Sequence, residues 1–132
     1  MAPIAVTMDR ADPPVAIVEL TGEHDGLTAH RIEQELAQLH DAGLPIVVDL
    51  LRASFVDSST LSTLLAAQRQ AEEASLGFVL VLDGAMGRQV HRIFETTGLE
   101  SAFVVVHTRE EAIGVARQGV AVRESETAFR RR

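Results

Sequence analysis

Two short runs, Ile46-Val47-Val48-Asp49-Leu50 and Phe78-Val79-Leu80-Val81-Leu82, constrain the fold of this chain more than anything else in it. Each is almost wholly apolar, rich in β-branched residues and too short for an ordinary helix. Strands buried on both faces read this way, and they belong to parallel sheets covered by helices. Between them, Ser58 to Ala74 carries Leu61, Leu64, Leu65 and Ala71 at helical spacing, and Gly77 follows its end. Strand, helix, strand of this length is one crossover unit, which joins neighbouring parallel strands.

The rest of the chain extends that unit. Ile4 to Met8 and Val15 to Leu20 alternate, and Asp9 to Pro14, with Asp12-Pro13-Pro14, supplies turn chemistry that blocks a helix. These predict an antiparallel hairpin. Thr21–Gly26 is read as a polar loop, Thr28 as the cap of a helix bearing Ile32, Leu36 and Leu39, and Leu27 with Ile32 as its hydrophobic staple. Gly43 and Pro45 stop that helix. Met86, Val90, Ile93 and Phe94 stripe a third helix closed by Gly98. Phe103 to Val106 is a last strand, and Thr108-Arg109-Glu110-Glu111 is a capping box opening a helix to about Arg117.

The expectation is one α/β domain over residues 1–118, followed by a flexible tail over residues 119–132. Its mixed, mostly parallel sheet has about five strands, an N-terminal antiparallel hairpin and about four flanking helices. Loops following parallel strands gather on one edge, here Thr21–Gly26, Leu51–Ser58 and Asp83–Met86.

Composition narrows the function classes. The chain has no cysteine, so thiol redox chemistry and thiolate metal sites are excluded. Its net charge is −7, and the tail from Gly119 carries four arginines against two glutamates, so the preceding residues hold −9. A body this acidic repels phosphate backbones and argues against direct nucleic-acid binding. The tail arginines are read as solvated. Met1-Ala2-Pro3-Ile4 has no basic leader region, and no apolar run reaches membrane-spanning length, so the expected place is the cytoplasm, without membrane insertion.

Candidate chemistry is sparse. His24, His30, His40, His91 and His107 make no metal-ligand spacing and are read as surface residues. Gly84-Ala85-Met86-Gly87 lacks the lysine of a P-loop and is read as a tight turn. No serine has the flanking glycines of a nucleophile elbow, and no acid, base and metal set suits a phosphatase built on Asp49 or Asp57. No enzyme activity, cofactor or metal is expected.

One stretch is more specific: Val48-Asp49-Leu50, then Phe55-Val56-Asp57-Ser58-Ser59-Thr60-Leu61 and the Leu-rich helix after it. On its own, Asp57-Ser58-Ser59 is a helix N-cap cluster. The stretch also resembles the signature of the STAS domain, where a buried strand leads into Asp-Ser-Ser-Gly-Leu-Gly at a helix start. Gly22-Glu23-His24-Asp25 resembles the Gly-Glu-hydrophobic-Asp loop of the same family, with His24 in place of the hydrophobe. Val90, Ile93, Phe94, Thr97, Gly98, Leu99 and Phe103, then Glu110-Glu111-Ala112, carry the likeness from about Ile4 to Arg117.

The resemblance is to anti-sigma factor antagonists and implies a partner-switching cycle. The partner would be an anti-sigma factor that is also a serine kinase, and a serine phosphatase would reverse its action. The phosphate acceptor implied by position is Ser59, followed in rank by Ser58 and Thr60, and Asp57 is the motif aspartate. Partner contact is expected at Glu23, His24, Asp25, Phe55, Asp57, Ser58, Ser59, Thr60, Leu61, Asp83 and Met86, with weak homodimerisation left open. Physically, a serine in a first helical turn lies among unpaired amides, so a phosphate is tolerated there and adds charge beside Asp57. Two departures bear on this: Thr60 and Ser62 stand where the family motif has glycine. The alternative is a STAS domain serving a transport or lipid-transfer assembly with no phosphorylation.

Overall fold

The structure of the protein, a computed structural model, describes residues 3–83 and 88–130, with side chains for all of these except 88 and 120–130. Five strands, β1 (Ile4–Asp9), β2 (Val15–His24), β3 (Ile46–Val56), β4 (Phe78–Val81) and β5 (Val104–Val106), form one sheet in the order β1-β2-β3-β4-β5. β1 pairs antiparallel with β2, and every other pairing is parallel. The helices are α1 (Gly26–Asp41), α2 (Ser58–Glu73), α3 (Arg88–Thr97) and α4 (Arg109–Arg130), with a short 3-10 turn at Leu99–Ala102. The hairpin, the mixed sheet and the four helices are those expected.

Alternation along the buried strands divides the core between two faces. Val48 and Leu80 point at Ile32, Leu36, Leu61, Leu64, Val90 and Phe94, the inner stripes of α1, α2 and α3. Val47, Val79 and Val81 point the other way, onto Ala112 and Ala116 of α4. Because α4 presents small residues, it comes very close to the sheet. A Cβ on Gly77 would lie 2.2 Å from the Ala116 carbonyl oxygen. Gly77 is therefore a packing residue at the entry to β4. Helix α2 ends as its sequence implies, with Ala74 as the cap. The residue that closes it is Ser75, in the left-handed conformation with φ of 58°. Its N–H donates to the Glu72 carbonyl and that of Leu76 to the Ala71 carbonyl, the paired bonds of a Schellman ending. Gly43, with φ of 73°, closes α1 in the same way, as its sequence implies.

Several boundaries differ from expectation. β2 and β3 run on to His24 and Val56, through segments read as loops. The cap of α1 is Asp25, and Thr28 is its third helical residue. Leu27 is 85% exposed, so there is no staple with Ile32. Thr108 does cap α4, accepting the Glu111 N–H. That helix passes the expected stop near Arg117, where Arg117 donates to the Pro13 carbonyl and pairs with Asp9 of the hairpin. The tail expected over residues 119–132 falls, from 120 on, outside the residues whose side chains are described.

Candidate functional site

The pairing of β3 with β4 ends at Asp49 and Val81, whereas β3 and β2 stay paired as far as Val56 and His24. The result is a two-stranded arm beyond the end of β4. Its register steps from Glu19–Asp49 to Thr21–Arg52, and from Gly22–Ala53 to Glu23–Phe55. At each step β3 contributes one residue more than β2, a bulge that bends the arm and increases its twist.

A specific feature accompanies each bulge. At the first, one carboxylate oxygen of Asp49 accepts the Leu51 N–H at 2.9 Å and the other accepts Arg109 Nε at 2.8 Å. Arg109, in the first turn of α4, also pairs with Glu19. Partial burial works against its charge, but the two carboxylates outweigh this and hold the guanidinium firmly protonated. At the second, Gly22 has φ of 79°, a conformation a side chain would resist.

The arm brings the starts of α1 and α2 side by side. Asp25 accepts the Leu27 N–H at 2.9 Å, and Thr28 Oγ1 accepts the Asp25 N–H at 3.1 Å. Asp57 accepts the Thr60 N–H at 3.0 Å. The two caps are joined at the carbonyl of His24, which accepts the Asp57 N–H at 3.1 Å and the Thr60 hydroxyl at 3.2 Å. From the other side Gln89 of α3 imitates a neighbouring strand. Its Oε1 accepts the Val56 N–H at 2.9 Å and its Nε2 donates to the Val56 carbonyl at 2.8 Å.

On this frame Ser58 and Ser59 are exposed as the first two residues of α2, and Asp57 is half-buried beneath them. Glu23 and Asp25 are exposed nearby, with Glu23 paired across the arm to the partly exposed Phe55. Glu23, Asp25, Phe55, Asp57, Ser58 and Ser59 thus share one end of the molecule, an acidic surface with an aromatic ring in it.

Three expected surface residues are buried instead. Leu61 belongs to the core under α2, because it faces the sheet from the first turn. Thr60 is wholly buried, and its hydroxyl serves the His24 carbonyl and Asp57, so it is not an open acceptor. His24 is wholly buried too, on the inner side of the arm. Its Nε2 donates to the Thr21 carbonyl at 3.0 Å, and its Nδ1 lies 3.2 Å from Thr28 Oγ1. Burial pushes the ring below the usual histidine range, opposed by the Thr21 carbonyl and Asp25. Asp83 is exposed just past β4, and Met86 lies outside the described residues. Gln89 and Arg109, which brace the arm, carry no local signature in the sequence. Among the described residues, no cluster of His, Asp or Glu suits a metal ion, and no helix is long and apolar enough to cross a membrane.

Comparison with known proteins agrees with this architecture. The family model described as Mlab, STAS domain, matches residues 7–107. The chain belongs to the STAS domain family. This STAS domain is 32% identical over 108 residues to a putative anti-sigma factor antagonist, BtrV, of Bordetella bronchiseptica, covering 81% of this chain and 90% of that one. The crystal structure of an anti-sigma factor antagonist from Mycobacterium paratuberculosis superposes with a TM-score of 0.71 at 29% identity, over 88% of this chain and 97% of that one. The Bacillus cell fate determinant SpoIIAA in its phosphorylated form shares the STAS fold, with a TM-score of 0.59 at 24% identity over 83% and 97% of the two chains.

Proposed function

We propose that this STAS domain is an anti-sigma factor antagonist whose partner is an anti-sigma factor serine kinase, and that phosphorylation of Ser59 releases that partner. The observation that carries the reading is the placement of Ser59. It is exposed at the second residue of α2, beside the half-buried carboxylate of Asp57 and next to the acidic arm end. Phe55 offers apolar contact area, and Glu23, Asp25 and Asp57 suit a partner with a basic rim. The unmodified hydroxyl docks against that partner. A phosphate adds about −1.5 to −2 charges to a surface that is already acidic, and a packed interface loses affinity through repulsion and desolvation.

The departures at the family glycines are compatible with this reading. Thr60 points inward and adds no bulk on the Ser59 side. Ser62 is exposed one turn along α2. Ser58 ranks behind Ser59, as it does by position in the motif. A cytoplasmic location follows from the same reading, as does a serine phosphatase that resets the cycle.

The test is direct. Incubation with candidate anti-sigma kinases and ATP, followed by phosphosite mapping, is expected to place one phosphate on Ser59 and none on the Ser59→Ala protein. A domain that no such kinase binds or modifies would instead fit the accessory role in a transport or lipid-transfer assembly.

A further inference from the structure

Gly26 is the first residue of α1, and its φ lies outside the left-handed region, so its backbone does not call for glycine. Glycine also loses more backbone freedom on folding than alanine does. Apart from its own helix backbone and chain neighbours, the one described atom within 4 Å of the position a Cβ would take is Ser59 Oγ, at 3.9 Å. The hydroxyl of α2 that carries the proposed switch therefore faces an opening left by a missing side chain on α1. The caps on either side, Asp25 and Asp57, are tied together through the His24 carbonyl, so the two helix starts do not drift apart to make room.

We infer that Gly26 is a specificity-determining residue for modification of Ser59: it keeps open the space that a phosphoryl group on Oγ occupies. The inference rests on the proposed switch and deepens it. In the modification, Oγ bonds to the γ-phosphorus of ATP, the bond from that phosphorus to ADP breaks, and the hydroxyl proton passes to a base on the kinase. The bare hydroxyl meets a methyl group on residue 26 at ordinary van der Waals distance. A phosphoryl group projects a phosphorus and three oxygens past that point, and a methyl group takes part of their room.

The experiment needs no kinase. Phosphoserine is installed at position 59 of the full chain by codon suppression, with and without Gly26→Ala and Gly26→Val, and thermal unfolding is compared with that of the unmodified proteins. Gly26→Ala is expected to leave Tm unchanged or raised in the unmodified chain. It should lower Tm by about 4 °C or more in the phosphoserine chain, and Gly26→Val by more again. Equal shifts in the modified and unmodified chains would overturn the inference. Failure of the switch itself would show elsewhere, as absence of kinase-dependent phosphate on Ser59.

Discussion

The Thr60 hydroxyl donates to the carbonyl of His24 at 3.2 Å, joining the first turn of α2 to the last residue of β2 across 36 positions of sequence. A residue that departs from the family motif thus became an internal fastener of the arm. Its methyl group fills buried space, and its hydroxyl satisfies a carbonyl that also receives the Asp57 N–H. Thr60→Val keeps the shape and removes the donor. It is expected to cost about 1 kcal/mol in urea denaturation, whereas Thr60→Ser, which keeps the donor and leaves a methyl-sized gap, should cost no more than that.

His24 predicts a pH dependence. Its ring is buried, and burial lowers its pKa from the ordinary 6.5. The unfolded chain then binds a proton at a higher pH than the folded one does, so folding stability rises with pH through this window. The contribution is complete above about pH 6.5 and is lost as pH falls from there through the folded value. Denaturation midpoints measured between pH 7.5 and 5 should decline, and His24→Leu should flatten the decline. A wild-type profile no steeper than that of the variant would refute this role.

Gly77 makes a packing prediction. Its absent Cβ lets the backbone of α4 approach the start of β4, and a methyl group there would overlap the Ala116 carbonyl. Backbone cannot rotate aside as a side chain can. Gly77→Ala is expected to destabilise the domain by about 3 kcal/mol, seen as a lower denaturation midpoint, and to weaken amide protection along α4. Gly114, with open space where a Cβ would sit, is the control: Gly114→Ala should be neutral or stabilising.

The contrast between these glycines bears on what a sequence discloses. The buried strands β3 and β4 were legible because composition alone marks a strand covered on both faces. The arm was not. Each bulge in β3 inserts a residue, so the burial pattern after Leu50 runs exposed, exposed, buried and then repeats, which no period-two template matches. Missing the arm displaced the cap of α1 from Asp25 to Thr28 and turned His24 outward. The end of α2 at Ala74 was legible from its apolar spacing, although Ser75, which closes it in the left-handed conformation, leaves no compositional mark. At the candidate site, the motif carried Asp57, Ser58 and Ser59 to an exposed helix start, where they lie. Burial of Thr60 and Leu61 follows from the direction in which the first turn of α2 faces the sheet. The bracing by Gln89 and Arg109 comes from contacts 33 and 60 residues distant in sequence, beyond any local pattern.

The proposed switch is tested most directly by the affinity of the anti-sigma kinase for the unmodified domain and for the domain carrying phosphoserine at position 59, measured under one set of salt conditions. Loss of about 2–5 kcal/mol at a packed interface corresponds to roughly 30- to 5,000-fold weaker binding of the phosphorylated form. Ser59→Ala should bind as tightly as the unmodified chain and resist release by ATP. Equal affinities for the two forms, or tighter binding of the phosphorylated one, would contradict the switch.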